Sequence, residues 1–276
     1  MPELPEVEAV RRAIEPVMRG ARFQRILVRR PNLRIPFPKQ FAERLKGKTV
    51  RALTRRGKFL LAELSSGETL IVHLGMSGSF DVDVTTARRT RRREADPHDH
   101  VVFEMSSGGT VTFNDPRRFG LMDLAAHGQL ETYPALSALG REPLSAEFDA
   151  ASLARICRGK HTSLKVALMD QRVVAGLGNI YASEALHRAH LSPRRRASTI
   201  ATSAGAPRAS AHRLAAAIKK VLHDAVERTM ADSHRSSRFR VYDREGARCP
   251  TNGCAGTIRR IVQTGRSTFY CPVCQR

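Results

Sequence analysis

A chain of 276 residues that is 41% apolar before its 19 glycines are counted has enough material for packed cores, which excludes a disordered tail or linker protein. Its 47 Lys and Arg against 26 Asp and Glu give a formal charge of +21, so it attracts polyanions, nucleic acid first among them, and resists self-association; a monomer is expected. No apolar run reaches the length of a membrane span or a signal core, which excludes a membrane partner on this reading and places the chain in the cytoplasm.

Val7, Val10, Ile14 and Val17 keep helical spacing from Glu6 onward, and Pro16 is expected to end or kink that helix. From Phe23 to Phe80 the period changes to two, and RFQRILV, TVRAL, KFLLAEL and ETLIVHL read as antiparallel strands separated by turn residues. Residues 87–96, ARRTRRREAD, are too charged for a core and read as a flexible loop. A hairpin follows, HVVFEM and TVTFND around SSGG. After Leu124 the pattern becomes helical in LSAEFDAASLARI, LKVALMDQRVVAG, NIYASEALHRA and HRLAAAIKKVLHDAVERTM, with a small, basic connection from Pro193 before the last. The fold class expected is α+β: an N-terminal helix with an antiparallel β-sandwich over residues 1–130, a helical unit over 131–238, and a C-terminal hairpin over 239–276.

Cys157 stands alone and reads as a small buried hydrophobe. Cys249 and Cys254 enclose four residues, Cys271 and Cys274 enclose two, and sixteen separate the pairs, a pattern suited to one tetrahedral Zn2+ held by two knuckles. Between them TIRRIVQ, TGRS and TFY spell strand, turn and strand, a hairpin too small to hold itself together without the metal. Arg266 falls at its tip, either as a solvated turn residue or, as the company of Arg259 and Arg260 suggests, against a phosphate.

The opening MPELPEVE puts a small residue after the initiator, a context in which Met1 is removed and Pro2 acquires a free secondary amine. A terminal amine titrates near 7.7 to 8, so roughly a tenth is unprotonated at neutral pH, against about one in a few thousand for an ordinary lysine. Such an amine attacking the anomeric carbon of a deoxyribose displaces the base and leaves an iminium, the electron sink that makes elimination of the phosphate feasible. Glu3 and Glu6 lie within a turn of it, suited either to moving protons at the sugar or to favouring a helix N-terminus.

With MPELPEVE, NDPRRFG, GLGNIYASEAL and the terminal thiolate cluster together, the chain resembles the bacterial formamidopyrimidine-DNA glycosylase family from end to end; the related endonuclease VIII branch more usually has Gly where Leu4 stands. The resemblance implies a bifunctional glycosylase and AP lyase of base excision repair that acts on oxidised purines in double-stranded damaged DNA in the bacterial nucleoid. It implies Pro2 as nucleophile, Glu3 as proton donor and acceptor, Glu6 as a supporting carboxylate, and Lys58 in RRGKFLL at the phosphate and lesion. Met76, Arg117 and Phe119 are implied to fill the space left by an everted nucleotide. His98, Lys165, Asn179 and Arg266 are implied to grip the DNA, Lys165 and Asn179 from a helix, two-turn, helix element and Arg266 from the zinc hairpin. The chain departs from the family in two places. The segment ERTMADSHRSSRFRVYDREG lacks the Gly-Gly-Thr-rich stretch and aromatic–glutamine pair that fold over an extruded purine, and the first cysteine pair has two extra residues. Specificity for oxidised pyrimidines, or non-catalytic binding of damaged DNA through the same elements, are the alternatives.

Overall fold

The computed structural model describes residues 1–84, 95–231 and 239–276, with the side chains of 230 and 231 left aside. The charged loop expected at 87–96 lies almost wholly outside the described residues, as do the boundary at 238 and the middle of the shortened segment before the hairpin. The chain divides into two compact units, Met1–Ser137 and Ala138–Arg276.

The first unit opens with α1 (Leu4–Met18), which turns Leu4, Val7, Ile14, Val17 and Met18 to the interior. Pro16 does not end it. The helix runs two residues further, because so close to the C-terminus a missing N–H costs one hydrogen bond while Val17 and Met18 are buried. Strands β1 (Phe23–Val28), β2 (Val50–Arg56), β3 (Phe59–Leu64), β4 (Thr69–His73), β5 (Ser79–Val84), β6 (Asp99–Met105), β7 (Gly109–Asn114) and β8 (Leu121–Ala125) form two antiparallel four-stranded sheets, in the orders β1-β6-β7-β5 and β2-β3-β4-β8. One apolar core takes side chains from both sheets and from α1, among them Phe23, Phe103 and Phe113 with no exposed surface. The expected hairpin is β6 and β7. Short α2 (Phe41–Leu45), β8 and α3 (Pro134–Ser137) complete the unit; β8 turns only Met122, Leu124 and Ala125 inward, too brief an alternation to stand out in the sequence.

In the second unit α4 (Ala150–Cys157) starts later than its apolar pattern suggests, because Asp149 caps it by accepting from Ser152 N–H at 2.7 Å. Then come α5 (Leu164–Met169), α6 (Asn179–Arg188) and the long α7 (Ala209–Ala231). The helix expected from Leu164 stops at Met169, and residues 170–178 form the two turns that join it to α6. Strands β9 (Arg259–Gln263) and β10 (Arg266–Tyr270) pair across Thr264 and Gly265, both at positive φ, as a tight two-residue hairpin turn requires. The architecture is α+β, as expected.

Candidate active site and nucleic-acid interface

Glu3 is the N-cap of α1 and is buried. Its backbone N–H donates to Glu6 Oε2 at 2.8 Å, and its own carboxylate accepts from the Glu6 amide, a reciprocal capping box. That box fixes where the chain leaves the helix and sets half-buried Pro2 just ahead of the first turn of α1. While Met1 is attached the Pro2 nitrogen is an amide; Met1 is exposed and open to trimming.

Lys58 follows the positive-φ Gly57 in the β2–β3 turn and is 7% exposed, so it is not a solvated hairpin lysine. Burial, with the charges of Lys58 and Arg34 adding to it, pulls the His73 imidazole down to about 4. The neutral ring accepts from Gly75 N–H through Nδ1 at 3.0 Å.

Met76, His98, Arg117 and Phe119 come from three loops and share one buried anchor, Asp115. Its carboxylate accepts from the Ser77 hydroxyl at 2.6 Å and from Gly120 N–H at 2.8 Å. Its amide donates to the His98 carbonyl at 3.0 Å, and its carbonyl lies 2.9 Å from His100 Nε2. Gly75 permits the close approach: at φ +66°, a Cβ there would sit 2.3 Å from the Phe119 carbonyl carbon. Above this anchor Met76 is 40% and Phe119 45% exposed, and the Arg117 guanidinium lies 4.7 Å from the Phe119 ring centre. Large apolar side chains held exposed on a rigid base suit insertion between bases.

In the second unit Gln171 knits the two turns together, donating to the carbonyls of Met169 and Leu177 and accepting from Gly176 N–H. Asn179 opens α6, and its side-chain Nδ2 donates to the Ser267 carbonyl at 3.0 Å, beside exposed Arg266. Lys165, expected near phosphate, is fully buried. Its ammonium donates to Asn179 Oδ1 at 2.5 Å, Thr268 Oγ1 at 2.6 Å and the Ser267 carbonyl at 3.3 Å, so it joins Asn179 to the hairpin that carries Arg266.

The four cysteines of the hairpin bring their sulfurs within 4.8 Å of one another. Gly256 makes room for them, since a Cβ there would lie 2.5 Å from Cys271 Sγ, and its N–H donates to Cys254 Sγ. Burial raises the Cys249 thiol, but hydrogen bonds, first those of the Thr251 side chain and backbone, outweigh it and bring it down to about 7. Four soft sulfur donors at this separation fit a metal ion. Cys157 is the opposite case: burial pushes its thiol up to about 11, as suits an inert core residue.

Residues 1–122 match the formamidopyrimidine-DNA glycosylase N-terminal domain, and residues 139–237 match the H2TH domain of the same enzymes. The formamidopyrimidine-DNA glycosylases of Bradyrhizobium sp. (strain ORS 278) and Rhodopseudomonas palustris (strain BisA53) are 55% and 54% identical to this chain, with all of each chain covered. The chain belongs to the formamidopyrimidine-DNA glycosylase family. Among solved structures, MutM (Fpg) from Thermus thermophilus is 36% identical with a TM-score of 0.81, covering 99% of this chain and 98% of that one. A MutM in complex with DNA containing carbocyclic 8-oxo-G is 30% identical with a TM-score of 0.84 over all of both chains. Lactococcus lactis Fpg, in complex with DNA containing FAPY-dG, is 31% identical with a TM-score of 0.83, covering 99% of this chain and all of that one. The Bradyrhizobium alignment runs over 294 positions, so that member of the family has segments this chain lacks.

Asp115, Gln171 and Glu184 were not singled out from sequence. Glu184 accepts from the amides of Arg240, Val241 and Tyr242 at 2.9 Å each and so holds the chain that enters the hairpin. Its signal is an acid among Tyr181, Ala182, Ala185 and Leu186 on a buried helix. Asp115 and Gln171 sit in turns, where a polar residue passes as ordinary turn chemistry.

Proposed function

We propose that this chain excises oxidised purines from double-stranded DNA and then cleaves the strand at the abasic site, in base excision repair at the nucleoid. The observation that carries the proposal is the reciprocal cap, which presents residue 2 at the head of α1 with the buried Glu3 carboxyl beside it. Once Met1 is gone, the Pro2 nitrogen attacks the sugar's anomeric carbon, the base leaves, and the opened sugar becomes an iminium. Glu3 moves protons at the sugar, Glu6 fixes the position of Glu3, and Lys58 steadies the lesion phosphate. Elimination from the iminium, β then δ, leaves a gap bounded by phosphates. Met76, Arg117 and Phe119 occupy the space of the everted nucleotide, with His98 against the backbone beside them. Asn179 and Arg266 bind phosphate, and Lys165 holds those two in register. Zn2+, bound by Cys249, Cys254, Cys271 and Cys274, supplies a structural cross-link for the hairpin.

The missing Gly-Gly-Thr-rich stretch supports a preference for ring-opened purines over 8-oxoguanine, since less sequence is available to fold over the base. Borohydride trapping tests the reaction. Incubation with a formamidopyrimidine duplex is expected to give a covalent protein–DNA adduct whose modified peptide begins at Pro2. An adduct on a lysine, or none while bases are released, rejects Pro2 as the nucleophile.

A further inference from the structure

The first knuckle sets a hydroxyl and an imidazole beside the cluster of sulfurs. Thr251 lies between Cys249 and Cys254, with its hydroxyl oxygen 3.3 Å from His187 Nε2 and 3.9 Å from Cys274 Sγ. His187, 1% exposed in the last turn of α6, has the same Nε2 3.4 Å from Cys249 Sγ. Its Nδ1 is buried and has no hydrogen-bond partner among the described residues.

The chemistry of these atoms fixes the direction of each hydrogen bond. A metal-bound thiolate only accepts, so an imidazole nitrogen facing it has to be N–H. A neutral imidazole has one such proton; with it on Nε2, Nδ1 keeps a bare lone pair. That is the cheaper atom to leave unpartnered, since an orphaned buried N–H is rarer than an unsatisfied acceptor. The Thr251 hydroxyl hydrogen is then free to point to Cys274. Four thiolates around a divalent ion carry a net double negative charge, and two donors aimed at the sulfurs offset part of it.

We propose that His187 and Thr251 form an outer hydrogen-bonding shell of the metal site, His187 donating to the Cys249 thiolate and Thr251 to that of Cys274. Through His187 the metal is tied to α6, the helix that opens with Asn179. This rests on reading the four cysteines as a zinc site.

Zinc release from the full-length protein to an excess of a colorimetric chelator at neutral pH tests it. His187→Phe keeps a ring of similar shape without the donor and is expected to release zinc about 10-fold faster or more. His187→Gln returns an N–H close to the position of Nε2 and is expected to stay near the wild-type rate, and Thr251→Val to lie between. In cobalt-substituted protein the sulfur-to-metal charge-transfer band is expected to shift in His187→Phe and not in His187→Gln. Release from His187→Phe at the wild-type rate overturns the proposal, as does equal acceleration by Phe and Gln, which marks a packing role alone. Nitrogen-15 imidazole spectra of wild-type zinc protein supply a check that does not depend on variants folding: a proton on Nδ1 rather than Nε2 overturns it. Wild-type protein without stoichiometric metal overturns the zinc reading as well, whereas bound zinc with unaltered release rejects the outer shell alone.

Discussion

The Ser77 hydroxyl donates to the Asp115 carboxylate at 2.6 Å, a bond between the loop that carries Met76 and the loop that carries Arg117 and Phe119. The same carboxylate takes the Gly120 amide, so one buried acid sets the base of both loops. Asp115→Ala removes two hydrogen bonds to a charged acceptor and leaves a buried N–H and hydroxyl unmatched, at a cost of about 2 to 4 kcal/mol. Thermal or denaturant unfolding is expected to register that loss, with Asp115→Asn intermediate because it keeps an acceptor oxygen. An unchanged melting temperature in Asp115→Ala contradicts the anchoring role.

Pro2→Gly exchanges a constrained secondary amine for a flexible primary one while leaving the Glu3–Glu6 cap intact. Strand cleavage is expected to slow at least 100-fold with duplex affinity within a few-fold of wild type, since the residues proposed to hold phosphate are untouched. Gel-based cleavage under single-turnover conditions, alongside a binding titration, measures both. Cleavage at the wild-type rate removes the nucleophile from Pro2.

Lys165 and Arg266 separate a positioning lysine from a phosphate ligand. Arg266→Ala is expected to reduce the slope of log affinity against log salt by about 1, because one ion pair to phosphate is lost. Lys165→Met is expected to weaken binding with an unchanged slope, because the ammonium is fully buried on Asn179, Ser267 and Thr268. A slope that falls equally in both variants returns Lys165 to the phosphate backbone.

Lys165 also marks where the sequence stops being informative. The family resemblance implies that it grips DNA, but whether a lysine faces solvent or a neighbouring hairpin depends on a contact about a hundred residues away, to which local pattern is blind. The same holds for His187 on Cys249 and for Glu184 on residues 240–242. Features with a short-range cause were legible: the alternation of β6 and β7, the apolar face of α7, and the cysteine spacing. The start of α4 was misplaced because Phe148, buried but outside the helix, extends its apolar pattern ahead of the Asp149 cap. At the N-terminus MPELPEVE suggests a terminal nucleophile with nearby carboxylates but not the reciprocal cap, since only the folded helix start shows that Glu6 holds Glu3.

His73 should give the first unit a share of its pH dependence. Its imidazole titrates at about 4 when folded, chiefly because it is buried, against an ordinary value of 6.5. The unfolded chain therefore takes up a proton between these values that the folded chain refuses. The stabilisation is present in full above pH 6.5 and declines as the pH falls to 4, by about 3 kcal/mol at the limit. Comparing urea unfolding of wild type and His73→Gln from pH 7.5 to 4.5 isolates this share, with the variant expected to lose less on acidification. Parallel pH profiles rule it out.

Gly256 decides whether four sulfurs can gather at all. A Cβ there falls 2.5 Å from Cys271 Sγ and 2.9 Å from Val273 Cβ, so Gly256→Ala has to displace a metal ligand or the knuckle behind it. The purified variant is expected to retain well under one zinc per chain, and its duplex affinity to fall with the loss, because Arg266 stands on a hairpin that two strands alone do not stabilise. Added zinc is expected to recover little of either, since the obstruction is steric. Restoration of wild-type affinity by micromolar zinc in Gly256→Ala contradicts this account of the glycine.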